Sequence, residues 1–117
     1  MSITFQYIQT EQIDSISGGD IEFKKELIDI FLEQIPEFVS NITAFYDDKN
    51  WQQLAREAHT AKSSALTFGM DEAGTLLKNI QLHAENNELD YLPELVTKVL
   101  SQLGAAIPEL QELRQSI

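Results

Sequence analysis

Residues 23–45 read "FKKELIDIFLEQIPEFVSNITAF", and in them Phe23, Leu27, Ile30, Phe31, Ile35, Phe38, Ile42 and Phe45 recur at steps of three and four. At about 100° per residue those steps draw one apolar stripe along a helix that must bury it against other elements. Pro36 falls inside the stripe and removes one backbone donor, so a kink or local break is expected there while the buried face continues. Ser17, Gly18, Gly19 and Asp20 mark the start of this helix, and Asp47, Asp48, Lys49 and Asn50 form the turn out of it.

Downstream, the same periodicity repeats. Asn50 can N-cap the next helix, with Gln53 three positions on as in a capping box. Trp51, Leu54, Ala55, Ala58, Ala61 and Ala65 then share one face, and Gly69 stands where a left-handed C-terminal cap is wanted, which predicts a helix from about Trp51 to Phe68. A third stripe, Ala73, Leu76, Leu77, Ile80 and Ala84, ends in "ENNE". The last helix begins near Asp90 with Pro93 in its first turn, where a missing amide costs little. Its stripe of Leu92, Leu95, Val96, Val99, Leu100, Leu103, Ile107, Leu110 and Leu113 passes Gly104 and Pro108, so a kink or fraying is expected near 104–108. No strand-like alternation, tandem repeat or low-complexity linker interrupts the pattern. Four stripes on short turns predict an all-α, antiparallel up-and-down four-helix bundle filling a single domain, residues 1–117, with "TFQYIQTEQI" (4–13) as a short extra N-terminal helix capping one end.

Composition narrows the function classes. The 117 residues carry 19 acidic and 8 basic side chains, a formal charge of −11, whose field repels nucleic-acid phosphates and anionic lipid headgroups. The acids are spread along the chain, as on solvated helix faces. With no cysteine, disulfides, thiolate nucleophiles and Cys-ligated metal centres are excluded. The start "MSITFQYIQTEQ" lacks the form of a signal peptide, and no apolar run approaches the roughly 20 residues that span a bilayer. A soluble, cytoplasmic, monomeric protein is expected, and Met1 close to the first helix with no linker residues favours a free-standing one.

Most enzyme classes fall away for lack of motifs. There is no Gly-rich phosphate loop, no G-x-S-x-G and no H-E-x-x-H, and the di-metal signature Glu-x-x-His fails at both histidines, where Arg56 and Ile80 stand three residues before His59 and His83. Asp47 and Asp48 lie in a turn without apolar surroundings to raise a carboxyl pKa. No cofactor and no metal of its own is expected. His59 remains. It follows Ala58, the centre of its helix's buried face, by about 100°, and so lies on the flank where bundle meets solvent. Ser63 is one turn on, Arg56 is nearby, and Lys62 sits at the border of the stripe, its stem along the bundle and its ammonium free to snorkel toward the imidazole. A lone histidine in that position is by default a surface residue without a task. Yet a neutral imidazole with one nitrogen held protonated, a cation beside it and small neighbours is what a phosphoryl-accepting histidine requires.

Residues 55–69, "AREAHTAKSSALTFG", resemble the signature of histidine-containing phosphotransfer (HPt) domains: an Ala-His pair, a lysine three residues later, a small Gly/Ser run and a glycine ten after the histidine. Ala58, His59, Lys62, Ser64 and Gly69 match it. "FLEQIPEFVSNI" is similar to the family's preceding helix and "LLKNIQLHAE" to its following one, so the likeness spans nearly the whole chain. The resemblance implies a bundle whose exposed histidine takes a phosphoryl group from a receiver-domain aspartate or a kinase and passes it to another receiver. It also implies that Gln81 accepts a hydrogen bond from Nδ1 of His59, leaving Nε2 for attack; the alternative for Gln81 is an ordinary polar surface residue. One departure is Ser63, where the family usually has glycine, and its Cβ and hydroxyl narrow the space beside His59. Ser64 is expected to bond the carbonyl of Thr60 within its own helix, and His83, about 200° around from Gln81, is read as a surface histidine without function.

The expectation is therefore a phosphorelay intermediate, not an enzyme in the usual sense and without a nucleotide site: His59 as phosphoacceptor, Lys62 for charge stabilisation and Gln81 to orient the ring. The expected partners are a response-regulator receiver domain and/or a hybrid histidine kinase, the divalent metal being the receiver's. Docking is expected on Arg56, Ser63 and Leu66, with Tyr7 and Ile8 of the N-terminal helix. The competing class is a helical adaptor that binds a signalling partner in a groove and is never phosphorylated.

Overall fold

A computed structural model describes residues 5–117, and within them five helices: α1 (Glu11–Ser17), α2 (Ile21–Asp47), α3 (Trp51–Thr67), α4 (Asp71–Glu85) and α5 (Leu92–Gln115), the last entered through a 3-10 turn at Leu89–Tyr91. No strand occurs among the described residues. The four longer helices pack in a ring, α2 on α3, α3 on α4, α4 on α5 and α5 back on α2, with the α3–α4 seam the most extensive. Turns of a few residues between successive neighbours leave them antiparallel, in a body 45 Å long and about 20 Å across. No helix among the described residues is long and apolar enough to cross a membrane.

The caps explain where the helices start and stop. Asp20 accepts from the Phe23 amide at 3.1 Å, so α2 begins at Ile21, two residues before the apolar stripe. Asn50 accepts from the Gln53 amide at 3.4 Å, one half of the expected capping box; its own amide goes back to the Phe45 carbonyl. At the end of α3, Gly69 (φ +68°) sends its amide to Leu66 and the Met70 amide reaches Ala65, closing the helix in the left-handed manner that a glycine allows.

Both internal prolines are tolerated without a break. α2 runs on through Pro36 and α5 through Gly104 and Pro108, so no fraying occurs at 104–108. Pro36, Pro108 and Gly104 are all exposed, which puts the missing hydrogen bonds on the solvent side of the helices, where water can take the freed carbonyls.

The core of α2 is rotated from the expected stripe. Ile28, Phe31, Ile35, Phe38 and Ile42 are buried, with Phe31 stacked on Phe68 of α3's end at 4.7 Å, whereas Phe23 is exposed and Ile30 is 50% exposed. Phe23 and Ile30 lie seven apart on one edge of a wide apolar face, and the partners α3 and α5 take up only its centre. On α3, α4 and α5 the expected positions are buried or half-buried.

The N-terminal segment differs most from expectation. The helix does not occupy 4–13: its first residue, Thr4, lies outside the described residues, 5–10 are irregular, and the short helix is Glu11–Ser17. The Glu109 carboxylate of α5 accepts from the Gln6, Tyr7 and Ile8 amides at 2.9–3.1 Å, and the Gln9 amide donates to the Phe68 carbonyl at 2.9 Å. Donors spent on other elements cannot close helical turns.

Candidate functional site

The α3–α4 seam is built from small side chains. Ala55, Ala58, Ala61 and Ala65 on α3 face a stripe that includes Ala73, Gly74 and Ala84 on α4, and all are buried. Small residues let two helices approach closely, so side chains just off the seam can touch across it. His59 follows fully buried Ala58, and Gln81 follows fully buried Ile80. On antiparallel helices, one step of about 100° past the seam carries both side chains to the same side. They meet there, Nδ1 of His59 lying 3.3 Å from Oε1 of Gln81. The imidazole is otherwise exposed.

Gln81 is held in turn by Glu85, one turn along α4, whose Oε2 accepts from Gln81 Nε2 at 3.4 Å. Gln52, Arg56, His59, Thr60, Gln81 and Glu85 line a groove of about 670 Å³ beside the ring. Arg56 is exposed at its edge. Lys62 is half-buried on the next turn of α3 and has no ion-pair partner among the described residues. Ser63 is exposed, its carbonyl accepting from Thr67 Oγ1 at 3.0 Å. No cluster of three or more potential metal-ligating side chains occurs among the described residues.

Three expectations need correcting. Ser64 does not bond Thr60; its hydroxyl donates to Gln34 Oε1 of α2 at 3.0 Å, tying the histidine-bearing helix to its neighbour. A packed partner with an accepting oxygen competes well against the helix's own carbonyl, which is already hydrogen-bonded. His83 is not a free surface residue: it is half-buried, stacked on Tyr91 at 4.6 Å, and its Nδ1 lies 3.2 Å from Glu88 Oε1, closing the turn between α4 and the 3-10 segment. Ile8 is 1% exposed and belongs to the core, so it offers no docking surface, and neither it nor half-buried Tyr7 is on a helix. Tyr7 does share a depression with Leu66, which is 43% exposed over Gly74.

Reasoning from the sequence missed Gln34, Gln52, Glu85 and Glu109. Gln52, seven before His59, and Glu85, four after Gln81, stand at same-face spacings that could have revealed them. Gln34 and Glu109 carry no local signal.

Comparison with known proteins gives concordant matches. The chain is 27% identical over 96 residues to the phosphorelay intermediate protein YPD1 of Candida albicans, an alignment covering 80% of this chain and 52% of that protein; the chain thus spans about half the length of the curated relative it matches. The crystal structure of histidine-containing phosphotransfer protein B from Pseudomonas aeruginosa shares the fold, with a TM-score of 0.87 at 18% identity over 97% of this chain and 99% of that one. The family model described as the Hpt domain matches residues 26–116, which contain all four bundle helices but the first turn of α2. On a match of that extent, the chain belongs to the Hpt domain family.

Proposed function

We propose that this protein is a phosphoryl carrier of a two-component phosphorelay and that His59 is its phosphoacceptor. The observation that carries the reading is the water-facing imidazole with Nδ1 against Gln81 Oε1 at 3.3 Å. With the amide oxygen toward the ring, which can only accept, Nδ1 carries the proton and the Nε2 lone pair is left for attack.

In the reaction, Nε2 attacks the phosphorus of an aspartyl phosphate on a receiver domain. The N–P bond forms as the P–O bond to the aspartate breaks, and the carboxylate leaves. The ring, still protonated at Nδ1, gains positive charge, which strengthens its hydrogen bond to Gln81. Lys62, one turn away, offsets charge on the phosphoryl oxygens. Transfer onward to a second receiver reverses these steps. The receiver supplies the divalent metal and the acidic pocket, so this chain contributes nucleophile and docking surface and has no nucleotide site of its own. Arg56, Ser63, Leu66 and Tyr7 are the residues we assign to docking; the exposed positions of the first three on the α3 flank, and the depression that half-buried Tyr7 shares with Leu66, support this.

The test is incubation with a radiolabelled phosphorylated receiver. An acid-labile, base-stable label on the wild type and none on His59→Gln supports the proposal. Label retained on His59→Gln refutes the assignment of the residue, and binding without label from any receiver favours the adaptor.

A further inference from the structure

We propose that Glu85 is a positioning residue that sets the tautomer of His59 through the Gln81 amide; the catalytic meaning of this rests on the phosphotransfer reading above. Asparagine and glutamine side chains can be turned end for end with little change of shape, so contact between Gln81 and the imidazole does not by itself say which end faces the ring. With its oxygen inward, Gln81 stabilises the Nδ1–H tautomer, whose Nε2 is nucleophilic. With its NH2 inward, Gln81 stabilises the opposite tautomer, whose outward nitrogen is protonated and inert.

Glu85 removes that ambiguity. An ionised carboxylate has no donor, so the amide end facing it must be the NH2, and Gln81 Nε2 donates to Glu85 Oε2 at 3.4 Å. The oxygen is thereby turned to His59 Nδ1, at 3.3 Å. Glu85, Gln81 and His59 form one directed chain in which each group's polarity dictates the next. The i, i+4 spacing of Gln81 and Glu85 on a continuous helix keeps the first link in register, and the Ala-lined seam keeps the second. Glu85 also lines the groove beside the ring, so this device stands at the place where a partner would enter.

Long-range proton–nitrogen correlation NMR of the unphosphorylated full chain at about pH 8, above the ordinary range of imidazole titration, reads the tautomer directly. His83, held by Glu88, serves as an internal reference. The expected wild-type pattern is a pyrrole-like Nδ1 and a pyridine-like Nε2 at His59. Glu85→Ala should reduce the ratio of the two tautomers roughly two- to fivefold, the effect of losing one modest hydrogen bond, and slow transfer by a similar factor. Glu85→Gln, whose carbonyl can still accept from the Gln81 amide, should restore most of both. Glu85→Lys, with only donors, should turn the amide over and favour Nε2–H. Unchanged His59 nitrogen shifts in Glu85→Ala, or an Nε2–H ring in the wild type, would overturn the proposal. Because this readout needs no phosphoryl donor, failure to label His59 with the expected tautomer chain intact would count against the phosphorelay reading alone.

Discussion

Replacing Gly69 by alanine should cost about 3 kcal/mol, an estimate assembled from separable parts. Gly69 has φ +68°, and holding an L residue there costs about 1 kcal/mol. A Cβ on Gly69 would overlap Cβ of Gln9 and stand 2.8 Å from its carbonyl oxygen and 3.0 Å from its Cα. Two of those atoms are backbone, so no change of rotamer relieves the clash and the segment 5–10 must move. Movement gives up the Gln9 amide bond to Phe68, worth about 1 kcal/mol net, and part of the burial of Ile8, worth about 1 kcal/mol more. Gly18→Ala is the control. Its φ is +58° with nothing within 4 Å of the added Cβ, so it should show the conformational cost of about 1 kcal/mol and nothing else. Urea unfolding of the two variants should differ by about 2 kcal/mol at equal slope, and in Gly69→Ala alone the Gln9 amide should lose protection from hydrogen exchange. Equal destabilisation by the two variants, or a Gln9 amide still protected in Gly69→Ala, would refute the view that glycine is needed at 69 for the passage of the N-terminal segment.

Two further outcomes follow from the same geometry. Ile8→Ala, at a fully enclosed position, should lower stability by about 2–4 kcal/mol in denaturant titration while transfer per folded molecule stays near wild type; a selective loss of transfer at unchanged stability would return Ile8 to the docking surface. Ser63→Gly should cost about 0.5 kcal/mol in helix propensity and accelerate labelling by a phosphorylated receiver, because it removes a Cβ and hydroxyl from the exposed face one turn from His59. A slower reaction would show instead that the hydroxyl assists.

What could be read in the sequence was whatever depends on neighbours within a turn or two of helix. Asp20, Asn50 and Gly69 act on amides and carbonyls a few residues away, and each does so where local chemistry says it should. The alanines of α3 and the stripe of α4 are buried as their spacing implies, and that burial sets His59 on a flank open to water. The breadth of an apolar face is harder to resolve. On α2 the choice between Ile28 and Ile30 depends on how the helix is turned by α3 and α5, and periodicity alone put the wrong one inside.

The sequence by itself determined the four bundle helices, the caps at Asp20, Asn50 and Gly69, and the side of the bundle on which an imidazole meets solvent, because these follow from the 100° step and from hydrogen bonds between near neighbours. Tertiary structure decided the rest. Gln81 lies against His59 although it is 22 positions further along the chain, Ser64 turns to Gln34 at a separation of 30, and three successive amides at 6–8 leave helical pairing for a carboxylate about a hundred residues away. A polar group takes whichever partner the packed chain brings within reach, and which groups arrive together is a property of the assembled bundle that no single segment encodes.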